Sequence, residues 1–132
     1  MTQDDIRALN GPALTRLAWE LGLAPQGSKA LTFFGGERSH YYTHEETLWE
    51  PCENLVQADA VFRGLRVQHW HTANAYYGDD GFGKVSVRRE QRSIAVYYNE
   101  GQDSPTEAHA MLLVSVMAMM NSEHTWTWRH AP

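Results

Sequence analysis

The run from Ala110 to Met120 is apolar at every position except Ser115, and it follows Asp103-Ser104-Pro105-Thr106-Glu107. Ser104 reads as a helix cap, with Pro105 in the first turn and Glu107 reaching back, so the pattern predicts a helix running to about Asn121. Ala108, Met111, Leu112, Ser115 and Met119 form one stripe, and Leu113, Val114, Val116 and Met117 widen it past half the circumference. A helix apolar most of the way round must be covered on more than one side. A second layer of the same chain or a partner subunit would do this, the latter giving a homo-oligomer through the 105–121 helix. The run falls well short of the roughly 20 residues that a membrane span needs.

With 132 residues, 42% hydrophobic and 20% charged, the chain is predicted to form one globular domain over 1–122, followed by a Trp-rich tail or edge strand over 123–132. Eleven Lys and Arg against 16 Asp and Glu leave a formal charge of −5, which argues against a general nucleic-acid binder. A single cysteine, Cys52, excludes an intramolecular disulfide framework and any multi-cysteine zinc module. The acidic start Met1-Thr2-Gln3-Asp4-Asp5 is unlike a secretory signal, so a soluble protein of a reducing compartment is expected.

Thr2 and Asp5 suit a short capped turn, and Asn10-Gly11-Pro12 restarts the chain into a helix over about 12–21, with Leu14, Leu17, Ala18 and Leu21 on one face. Gly22 supplies its stop. Leu31–Phe34 has strand composition, and His40–His44 reads as a second strand or an ordered loop. Asn54 caps a helix to Arg63 whose buried face is Leu55, Ala58 and Phe62. Alternation then predicts strands over Leu65–Thr72, Lys84–Arg89 and Ser93–Tyr98, the last two forming a hairpin at Glu90-Gln91. Ala73–Gly83 reads as a loop. The fold class is α+β: a small antiparallel or mixed sheet of three to five strands with helices packed on it.

Ile6-Arg7-Ala8-Leu9, Gly11-Pro12-Ala13-Leu14 and Leu17-Ala18-Trp19-Glu20-Leu21-Gly22 resemble the opening of small phage proteins that carry the αβα-sandwich domain. Trp49-x-Pro51-x-x-Asn54-x-x-x-Ala58 is similar to that family's entry into its second helix. Ser104-Pro105-x-x-Ala108 is similar to the family and to the NinX-type phage proteins. The resemblance covers residues 1–22 and 49–121. It implies a three-layer αβα-type sandwich and a phage or prophage origin, with no catalytic residues to carry over. The insert at 26–48 and the Trp-rich tail depart from the pattern.

Candidate chemistry is sparse. His69 and His71, two apart on the predicted strand, would share a face and could meet one metal ion, with His40 and His44 adding a ligand if that stretch were helical. No established zinc signature accompanies them, and ordinary strand histidines are the simpler reading. Cys52 stands just before a helix start, where its thiol pKa would be lowered, although a lone cysteine in such a place is usually a small packed residue. The glycine loop 78–83 has neither phosphate-cradle nor EF-hand spacing and reads as a solvated turn.

The aromatics carry more weight. Trp19 and Trp49 are expected in the core. Tyr76, Tyr77, Trp126 and Trp128, with Arg129 beside them, are the expected contact residues, because such rings bury much area while keeping a polar tip. The sequence therefore suggests a non-catalytic phage accessory protein in the bacterial cytoplasm. It would bind a host or phage protein, including a component of a host defence system. No cofactor is expected. The rivals are a metal-dependent enzyme using His69 and His71, and a binder of a small nucleotide signal lined by Arg88, Arg89 and aromatic rings.

Overall fold

The computed structural model describes residues 2–32, 39–78, 81–99 and 104–122. Among these, the chain is α+β, with four α-helices and two antiparallel sheets of 2 and 3 strands. Helix α1 (Gln3–Arg7) opens on a capping box in which Thr2 Oγ1 accepts from the Asp5 amide and the Thr2 amide donates to Asp5 Oδ2 at 2.7 Å. Helix α2 (Gly11–Glu20) starts at Asn10, whose side chain accepts from the Ala13 amide at 2.8 Å. It is followed by Gly22 at φ +77°, a conformation that glycine adopts without steric cost.

Strands β1 (Lys29–Thr32) and β2 (Ser39–Tyr42) pair antiparallel with Ala30 opposite Tyr41. Three rings join this small sheet to α2: Trp19 stacks on Tyr41 at 4.6 Å, and Trp49 meets both, at 6.2 and 6.4 Å. Trp49 is buried and Trp19 packs partly buried against the core.

Helix α3 (Leu55–Gly64) begins where expected, with Asn54 accepting from the Gln57 amide at 3.1 Å. Its buried face is Ala58, Val61 and Phe62; Leu55, on the same side of the helix, is exposed, contrary to expectation, at the first position of α3.

The next segment corrects two sequence expectations. Residues Leu65–Gln68 continue from α3 as a 3₁₀ turn, and His69 stands in the left-handed region at φ +67°. Of the span Leu65–Thr72, only His71 and Thr72 therefore belong to a strand. Its alternation is accidental: Leu65 is buried, whereas Val67 lies open to solvent. The supposed loop Ala73–Gly83 instead contributes most of strand β3 (His71–Tyr77) and the start of strand β4 (Phe82–Arg89). Gly78 and Gly81, both at positive φ, reverse the chain between them. Strand β5 (Arg92–Tyr98) follows at Glu90-Gln91 as expected, with Val85 opposite Val96 and Thr72 opposite Val87 in the order β3-β4-β5.

Helix α4 (Glu107–Ser122) is the centre of the molecule. One side rests on β4 and β5, and other sides take α1, α2 and α3. Every residue from Ala110 to Ala118 is buried, so its wide apolar surface is covered within the chain. Each fully buried Leu, Val or Met there contributes about 2 kcal/mol of transfer free energy. Ser115 satisfies its hydroxyl by donating to the Met111 carbonyl at 2.6 Å. Thr106, not Ser104, caps the helix, accepting from the His109 amide at 3.1 Å. Ser104 is already committed: its backbone exchanges bonds with Tyr97 and Asn99, and its Oγ lies 2.7 Å from His109 Nδ1. No described helix is long and apolar enough to cross a membrane.

Candidate functional site

The three-stranded sheet has two unlike faces, set by the strand period of two. Val85, Val87, Ile94, Val96 and Tyr98 point towards α4 and are buried. The alternate positions form the outer face: His71, Ala73, Ala75 and Tyr77 on β3; Phe82, Lys84, Ser86 and Arg88 on β4; Ser93, Ala95 and Tyr97 on β5. Ala73, Tyr77, Arg88 and Ser93 are exposed there. At one end a row of rings crosses all three strands. Tyr77 lies 5.3 Å from Phe82, and Phe82 stacks on Tyr97 at 5.8 Å with their planes 10° apart. Lys84 Nζ sits 5.9 Å from the centre of the Tyr97 ring, within range of a cation–π attraction. No Asp or Glu occurs among these outer-face positions, although the chain as a whole is acidic.

Tyr76 and Tyr77, both proposed as contact residues, are indeed exposed, at 65% and 47%. They do not make one patch, because neighbours on a strand face opposite ways. Tyr77 joins the outer row, while Tyr76 lies on the side of Tyr98, ring centres 6.5 Å apart. Trp126, Trp128 and Arg129 lie outside the described residues. Phe82, Lys84 and Tyr97 were not foreseen as a group. The signal was present in the sequence: if Val85, Val87, Val96 and Tyr98 face inward, then Lys84 and Tyr97 must face outward.

The metal expectation loses its geometric basis. His69 occupies a left-handed turn and His71 starts β3, so they share no strand face. His40 lies on β2 and His44 in the following turn, not on a helix. Among the described residues no group of three or more His, Cys, Asp and Glu is placed to hold a metal ion. His69 and His71 do come together in another way, on the rim of a cleft with Arg66, Trp70 and Thr72.

Cys52 follows the plainer of its two readings, that of a small packed residue. It lines a cleft of about 300 Å³ with Arg16, His40, Tyr41 and Trp49, but burial pushes its thiol up to about 11, with the Glu53 carboxylate adding to the shift. The position before α3 does not offset that desolvation, so Cys52 is a packed thiol rather than a thiolate nucleophile. Ser104 beside His109 invites comparison with a hydrolytic pair, yet Ser104 is 2% exposed and thus closed to a substrate. Arg88 and Arg89, suggested as lining one nucleotide cleft, belong to opposite faces of β4: Arg88 is on the outer face, and Arg89 lies over the Trp70 ring at 5.8 Å.

Comparison of the chain with protein-family models, with curated proteins and with solved structures finds no match.

Proposed function

We propose that this chain is a non-catalytic accessory protein that works by holding an acidic surface of another protein against the outer face of its three-stranded sheet. The observation that carries this reading is the row Tyr77, Phe82 and Tyr97 beside Lys84, among outer-face strand positions none of which is an Asp or Glu. Aromatic rings supply contact area at small entropic cost, and the cations supply orientation and partner choice. Arg88, further along β4 on the same face, extends the cationic surface.

Taken with the resemblance to small phage proteins, the partner is a host protein met in the bacterial cytoplasm, a component of a defence system being one such target. The αβα-type sandwich belongs to the same proposal. Its second helical layer would lie over Ala73 and Tyr77, which are exposed in the chain by itself, and a helix of the partner would supply it.

Affinity capture from host lysate tests this, comparing the native chain with Tyr77→Ala/Lys84→Glu and with Trp126→Ala/Trp128→Ala, each melted in parallel. The expected result is a defined captured protein that is lost with the sheet-face variant at unchanged melting temperature. Capture that survives Tyr77→Ala/Lys84→Glu overturns the proposed surface. Loss on the tail variant adds the two tryptophans to it.

A further inference from the structure

At the other end of β3, six residue steps and roughly 20 Å from Tyr77, the chain forms a second cleft, of about 440 Å³. Its walls are Arg66, His69, His71 and Thr72, and Trp70 is buried among them. The 3₁₀ turn carries Arg66, and the left-handed residue His69 turns the backbone so that both imidazoles come to the same rim. Arg66 Nε donates to Thr72 Oγ1 at 3.2 Å, which ties the guanidinium to another residue of the cleft wall. Arg66 has no carboxylate partner among the described residues, and neither the His69 nor the His71 ring makes a hydrogen bond there. The Trp70 indole Nε1–H is buried without an acceptor. Arg89 stands 5.8 Å from the centre of the same indole ring.

Every polar side chain at this cleft is therefore able to donate, and none is an acid. A cation would meet a guanidinium; an oxyanion would meet several donors already in place. We propose that the cleft of Arg66, His69, Trp70 and His71 binds a tetrahedral oxyanion, either inorganic phosphate or the terminal group of a phosphomonoester. Arg66 provides the fixed charge, the imidazoles can add ring N–H donors, and the buried indole N–H beside them has no acceptor of its own. The site is separate from the aromatic row, so it stands or falls independently of the protein-binding proposal.

The test is a titration followed through the Trp70 indole N–H resonance, assigned by its disappearance in Trp70→Phe. Inorganic phosphate and glycerol 3-phosphate serve as the probes, with chloride at matched ionic strength as the control. The expected result is a saturable shift with at least one phosphate probe, absent with chloride and weakened about tenfold in Arg66→Gln, a loss of the size expected for one charge-assisted hydrogen bond. Saturation by inorganic phosphate identifies the free anion as sufficient; saturation by glycerol 3-phosphate alone assigns the site to phosphomonoesters. Arg66 is exposed, so its replacement leaves the fold intact, which an unchanged melting temperature verifies. No saturable shift with either probe, or an equal shift in Arg66→Gln, overturns the proposal.

Discussion

The inner and outer faces of the β3-β4-β5 sheet are made from alternate residues of the same strands, yet they answer to different physics. Val85, Val87, Ile94, Val96 and Tyr98 are at most 1% exposed and meet the most apolar helix of the chain. The outer positions combine small residues, three rings and isolated cations, several of them open to water. The inner face is constrained by close packing, where a single methylene is felt. The outer face is constrained by pairing and solubility and is not covered by α4. A substitution should thus report which face it touches: stability for one, binding for the other.

The largest expected effect is at Gly83, on the inner face. A Cβ there would fall 2.1 Å from Cζ of the buried Tyr98 ring, which lies directly over this glycine. Gly83→Ala should lower stability by about 3 kcal/mol, as overpacking does when the neighbour cannot retreat. Chemical denaturation measures it, and a loss below the usual surface range would mean that Tyr98 repacks freely. Tyr98 is also tied through Oη to Asn74 Oδ1 at 3.4 Å, and Asn74 Nδ2 donates to Glu107 Oε1 at 2.7 Å, which joins strand to helix start.

An acid effect is expected at the sheet–helix junction. Burial holds the His109 imidazole below its ordinary value of 6.5, so the folded state resists protonation more than the unfolded chain does. Stability from this group is complete above the ordinary value and is lost as pH falls below it. Denaturation at pH 7 and pH 5 should show the decline, and His109→Gln should flatten it over that interval. An identical decline in the variant would place the acid sensitivity elsewhere.

A second pH effect, from a larger shift, is expected on the alkaline side at Cys52. Its raised thiol means that the unfolded chain deprotonates first, so its contribution is present at neutral pH and is lost as pH climbs from 9 towards about 11. At pH 8 a thiol reagent should react slowly with the native protein and rapidly once denaturant is added. Rapid labelling of the native state would show that the cleft opens.

The smallest stability effect belongs to the outer face. Tyr77→Ala/Lys84→Glu should change stability by less than about 1 kcal/mol, since it removes exposed contacts and one surface cation–π pair. Thermal melting checks this. A large loss would mean that the aromatic row holds the sheet together and would blur the distinction between the faces.

Much of the local structure was legible in the residues. Thr2 and Asn54 each form the cap that their position implied, because capping depends on a few adjacent atoms, and Asn10 caps the helix that the Asn-Gly-Pro break announced. The β4–β5 hairpin was legible from two runs of alternating residues. The β3 strand was not: Tyr76 and Tyr77 were read with the glycines after them, and the preceding alternation drew the strand into a 3₁₀ turn. Ser104 was misread for a related reason. Ser-Pro-Thr-Glu offers two side chains able to cap a helix, and only the sheet, by engaging Ser104 through Tyr97 and Asn99, leaves the role to Thr106.

The sequence determined that α4 had to be enclosed, since an apolar circumference cannot face water, and it determined which residues of β4 and β5 turn the same way, since that follows from strand geometry alone. Tertiary structure decided what encloses the helix, which face of the sheet stays open, and that Arg66, His69 and His71 meet around a buried indole. Those outcomes depend on contacts between residues far apart in the chain and on a backbone reversal at His69, and no local pattern encodes either.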